Sequence, residues 1–142
     1  MPKIQIAWSF WLLMAVLMLT LPLSWVLSAI SSAAVHELCH IGMLKYLGIP
    51  IIRFRIQAGG AILDTGPTDD KAELLCALAG PVGSFLLLIF LYVFPRIALC
   101  GLVQGIYNLI PVKNLDGGRV IRCAIRLIHG NRPCKPEKMR VQ

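Results

Sequence analysis

Residues 4–20 carry no charged side chain, and two further apolar stretches, residues 23–47 and 72–94, follow in the same chain of 142 residues. A helix that rises about 1.5 Å per residue needs roughly 20 residues to cross a hydrocarbon core of about 30 Å. In such a medium a lone segment satisfies its own N–H and C=O groups only as a helix. The apolar share of 57% and mean hydropathy of +0.73 exceed what a small soluble domain tolerates. No linker, repeat or low-complexity tract divides the chain. These features predict an all-α integral membrane protein, one domain over residues 1–142 with its core at about 5–130, followed by a basic tail at 131–142.

Residues 49–63 change character. Ile52, Phe54 and Ile56 alternate with Arg53, Arg55 and Gln57, the period of a strand with one wet face. Gly59-Gly60 permits a tight turn into Ala61-Ile62-Leu63, so a short membrane-associated β-hairpin is expected. Residues 64–71 read as a polar loop, and Gly80-Pro81 lies in the first third of the next helix. Residues 97–110 are too few to cross unaided, and Pro111 should unwind the chain there because it lacks an N–H and crowds the preceding turn. Helical periodicity resumes near Asp116 and ends at Gly130. Its Arg119, Arg122 and Arg126 share a face, which predicts an interfacial C-terminal helix with guanidinium groups among lipid headgroups.

The net charge is +7, and seven of the fourteen Lys and Arg residues follow Gly118. Their distribution fits a positive-inside bias better than nucleic-acid binding, since the tail has no interleaved aromatic residues. Counting by loop puts the N-terminus, the 48–71 segment and the C-terminal tail on the cytoplasmic side and leaves Arg96 outside. Four crossings satisfy that count. Removal of the first segment as a secretory signal would cut into the helix that follows, so the segment is expected to be retained. The five cysteines form neither a paired framework nor a metal-binding doublet.

Near the end of the second apolar segment stands His36-Glu37-Leu38-Cys39-His40. Four residues apart on a helix, the two imidazoles lie one above the other and can share one ion, with Glu37 on the adjacent flank within reach of a water. Counting down the segment places His36 about 20 Å from the external side, hence near the cytoplasmic face. Two histidines leave a catalytic zinc short of a ligand. One other acidic residue lies among apolar segments, Asp116, where insertion of a charge costs roughly 2.5–3.5 kcal/mol and ligation would remove the penalty. Asp116 also suits a helix N-cap, and the two roles are compatible. His129 reads as a helix-end residue and Cys39 as a packing residue.

The His36-Glu37-Leu38-Cys39-His40 run, the Ala79-Gly80-Pro81 step and the Asn108…Pro111…Leu115-Asp116-Gly117-Gly118 run together resemble the site-2 protease family of intramembrane metalloproteases, most closely its sporulation stage IV FB type. The resemblance covers residues 5–130. It implies a three-helix catalytic core plus one further helix, and zinc held by His36, His40 and Asp116. It also implies Glu37 as general base, Asn108 at the substrate or oxyanion, and Gly59-Gly60 beside the site, with Gly80, Pro81, Pro111 and Gly117 shaping it. The implied substrate is a membrane-associated protein such as a transcription-factor precursor or an anti-sigma factor. A regulatory membrane partner or a homo-oligomer would be in keeping with the family. The strand at 52–57 is expected to offer an edge to an extended substrate. Ser84 stands where the family often has Asn. The rival reading is a non-catalytic metal-binding scaffold, which would have no need of Glu37.

Overall fold

The computed structural model describes residues 3–58, 60–66, 68–112, 115–129 and 140–141. Gly59, expected beside the site, and most of the basic tail lie outside the described residues.

Five helices and a small sheet make up these residues: β1 (Lys3–Ile6), α1 (Trp8–Thr20), α2 (Leu23–Tyr46), β2 (Ile51–Gln57), β3 (Gly60–Thr65), α3 (Asp70–Leu86), α4 (Pro95–Leu109), α5 (Asp116–His129) and β4 (Arg140–Val141). A 3-10 turn at Leu87–Phe90 continues α3. The all-α expectation therefore needs correcting: the chain is mostly helical but carries a four-stranded sheet in the order β1-β2-β3-β4. The first strand was missed because its residues blend into the apolar run behind them, so α1 starts at Trp8 rather than near residue 4. β1 runs parallel to β2, with Lys3 opposite Arg53 and Ile6 opposite Ile56. The hairpin extends to Thr65, two residues into the expected loop, and Gly60 takes a φ of 116° where it enters β3. With β1 on one side and β3 on the other, β2 offers no free edge along 53–56. The proposed substrate edge at 52–57 is thus occupied.

α2 and the α3–Phe90 segment are long and apolar enough to cross a membrane, at 24 and 21 residues. α1 and α4, at 13 and 15 residues, reach only about 20 Å. α2 begins directly after Pro22, and α3 begins at Asp70 because Asp69 caps it, its Oδ1 accepting from Ala72 N at 3.3 Å. α4 ends where Pro111 demands it. Ile110, the residue before the proline, is already extended at ψ 135°.

α2 packs against both α3 and α4, and α5 folds back onto α3. Small side chains line the contacts: Ser28 and Ser32 of α2, Cys76, Gly80 and Ser84 of α3, and Gly101 and Gly105 of α4 are buried, which lets helices approach closely in the absence of a hydrophobic drive between them. The sheet docks at the C-terminal end of α2 through Leu44, Leu63 and Cys76, with Ile49, Ile51 and Phe54 around them.

Two of the three α5 arginines, Arg119 and Arg126, also differ from expectation. Arg119 is 3% exposed and, like Arg126, is turned toward acidic side chains at the start of α3 rather than toward headgroups. Burying a carboxylate–guanidinium contact between two helices has displaced the interfacial arrangement that periodicity alone suggested.

Candidate metal centre

His36 and His40 project from one side of α2, and both are buried. Their Nε2 atoms lie 3.2 Å apart. Asp116, the first residue of α5, brings its Oδ2 to 3.3 Å from His36 Nε2 and 3.2 Å from His40 Nε2. The end of α4 at Leu109, with Ile110 extended, and the start of α5 at Asp116 make this possible. Gly117 is required at the return, since a Cβ there would lie 2.8 Å from Ile110 O and still closer to the Leu109 carbonyl.

The outer nitrogen of each imidazole is engaged by α3. His40 Nδ1 donates to the Cys76 carbonyl oxygen at 2.7 Å, which puts the proton on Nδ1 and the lone pair on Nε2. His36 Nδ1 lies 2.8 Å from Ser84 Oγ, while Asn108 Nδ2 donates toward His36 Nε2 from 3.2 Å. Both rings thus turn a lone pair toward the same point as a carboxylate oxygen. Three acceptors packed this closely repel one another unless a cation lies between them. Tetrahedral zinc with ligands at about 2.1 Å separates them by about 3.4 Å, close to the observed spacing. The donor set fits zinc, and hydrogen-bonded outer nitrogens are the usual support for such ligands.

Gly80 gives the two rings their room. A Cβ on it would lie 2.7 Å from His36 Nε2 and 2.6 Å from His40 Cε1. Pro81, buried in the next position of α3, cannot donate to the Ala77 carbonyl four residues back.

Glu37 is half-buried beside the pair. Its Oε1 accepts from Ala61 N at 3.2 Å, and its Oε2 is buried with no hydrogen-bond partner among the described residues. The sheet therefore holds one oxygen of this carboxylate and leaves the other available. Gly60 sits one residue before that contact, and Pro111 is exposed in the break. His129 caps its own helix by bonding Ile125 O at 3.0 Å, remote from the cluster's contacts. Sequence reasoning missed Ala61 N and Cys76 O, which are backbone groups, and undervalued Ser84. The four-residue spacing of Cys76, Gly80 and Ser84 was a visible sign that this stripe faces α2.

Fold and site together define a mostly helical protein, with two helices long and apolar enough to cross a membrane, built around a buried two-histidine, one-carboxylate cluster with a glutamate next to the first histidine. The site-2 protease of Methanocaldococcus jannaschii has the same fold: the structures match with a TM-score of 0.72 at 24% identity, over 89% of this chain and 69% of that one. A curated zinc metalloprotease of the same organism is 27% identical over 70% of this chain. The chain spans 33% of that protein's length. No family model matches the chain. The resemblance to site-2 proteases, read first from the motifs, is met by the fold, and the sequence similarity is to a zinc metalloprotease.

Proposed function

We propose that this chain is an intramembrane zinc metalloendopeptidase of the site-2 protease type, cutting membrane-associated protein substrates near the cytoplasmic face. The observation that carries this reading is the convergence of His36 Nε2, His40 Nε2 and Asp116 Oδ2 at 3.2–3.3 Å in a buried site, with both outer imidazole nitrogens engaged. When bound, zinc polarises the scissile carbonyl and lowers the pKa of water to about 7.

The chain's own residues do the rest. Glu37, anchored at Oε1 by Ala61 N, uses its unpartnered Oε2 to take the proton of the attacking water and then delivers it to the leaving amine. Asn108, already directed at the cluster, donates to the substrate carbonyl oxygen as negative charge develops there. Gly80 keeps the floor of the site free of side chain. Ser84 and Cys76 O orient the rings so that no reorganisation is needed on reaction.

For topology we propose four crossings with both termini cytoplasmic, supported by the distribution of Lys and Arg, with the 13-residue α1 and 15-residue α4 crossing only with the help of flanking chain. The retained Glu37, which metal binding alone does not need, favours an enzyme over a metal-binding scaffold. Glu37→Gln should keep zinc and lower cleavage of a co-expressed single-pass membrane protein by about 10²–10⁴-fold. Cleavage undiminished in that variant would exclude the mechanism.

A further inference from the structure

One turn into α3, Asp70 and Glu73 meet three residues of α5. Arg119 Nε lies 3.6 Å from Glu73 Oε1, and Arg126 Nη1 lies 3.2 Å from Asp70 Oδ1 and 3.9 Å from Glu73 Oε2. Asp70, Glu73 and Cys123 lie close enough together to hold an ion. Two guanidinium groups already supply the positive charge there, however. Burial also pushes the Cys123 thiol up to about 12, so it stays protonated and is a poor ligand. The cluster is an ion-pair network and not a second metal site.

Its purpose lies at the other end of Arg119. That side chain is 4% exposed, and its Nη1 sits 3.7 Å from Asp116 Oδ1. Asp116 uses Oδ2 toward the imidazoles, whereas among the described residues its Oδ1 and Arg119 Nη1 and Nη2 are buried with no hydrogen bond, so the contact between them is one of charge. A carboxylate so placed can rotate unless a charge fixes one oxygen. Burying a guanidinium to do so costs several kcal/mol, which Glu73 helps to offset from α3. α3 also holds His36 through Ser84 and His40 through Cys76 O.

We propose that Arg119 is a positioning residue that fixes the orientation of Asp116, with Glu73 as its anchor, so that all three ligands are registered against α3. This rests on the zinc-site reading. It adds that the third ligand is set by a charged relay across α3 and α5 as well as by the Pro111 break.

The test uses the full chain in lipid nanodiscs. Zn²⁺ affinity is measured by competition with a chelating dye, and Co²⁺ substitution gives the ligand-field spectrum. Arg119→Met should lose about tenfold to a hundredfold in Zn²⁺ affinity and shift the Co²⁺ bands while helicity is kept. Arg119→Lys should recover part of the loss, since it restores charge without the fork. Glu73→Gln should lose several-fold, and adding it to Arg119→Met should change little further. A folded Arg119→Met with wild-type affinity and spectrum overturns the proposal. If that variant does not fold, Glu73→Gln decides, and unchanged Zn²⁺ affinity there overturns it equally. Failure of the wild type itself to bind Zn²⁺ would instead remove the zinc-site reading.

Discussion

The two histidines and the aspartate reach the same point by different means. His36 and His40 sit on one uninterrupted 24-residue helix, so their separation is fixed by helix geometry before any packing occurs. Asp116 arrives from a separate helix after a proline break, and its place depends on Gly117, on Arg119 and on the contact of α5 with α3. The histidine half is local and rigid. The aspartate half is tertiary, and perturbations of helix packing should reach it first.

Gly80→Ala should have the largest effect, because it strikes the histidine half where no local adjustment is available. Alanine favours an isolated helix by about 1 kcal/mol over glycine. The added Cβ, however, collides with both rings, and overpacking of this kind costs about 1–3 kcal/mol. Zinc content and thermal unfolding should both fall. Retained zinc would show that α2 and α3 can separate without disturbing the rings.

Ser84→Ala should act less severely. It removes the partner of His36 Nδ1 and should weaken Zn²⁺ binding by about tenfold or more, with stability little changed. A loss of fold without a loss of affinity would reassign Ser84 to packing alone.

The smallest effect is expected from Arg126→Gln. Arg126 is 34% exposed and its contact with Asp70 lies away from Asp116, so the change should cost less than about 1 kcal/mol and leave Zn²⁺ affinity intact. A large loss of affinity would extend the charged relay a turn further along α5 than Arg119.

This contrast also explains what the sequence could reveal. The spacing of His36, Glu37 and His40 announces their shared face directly. The end of α4 at Leu109 and the restart at Asp116 follow from Pro111. α2 lies within a residue of the apolar segment that marked it. The sheet was less legible: β1 is only four residues long, and the alternation of Lys3 and Gln5 with Ile4 and Ile6 is too short to stand out from the apolar helix behind it until it pairs with Arg53–Ile56. Arg119 and Arg126 were visible as a stripe but not in direction, because periodicity says which residues share a face and not what that face meets. Asp70 and Glu73, three apart at the start of α3, were the missing complement. Ala61 N and Cys76 O are backbone groups and leave no residue-type signal at all.

The most direct test is the zinc content of the purified chain, compared among wild type, Glu37→Gln and His36→Ala. One zinc ion per chain in the first two and none in the third is the expected result. A wild-type chain that takes up no zinc, or a His36→Ala chain that holds it as well as wild type does, would contradict a site formed by His36, His40 and Asp116.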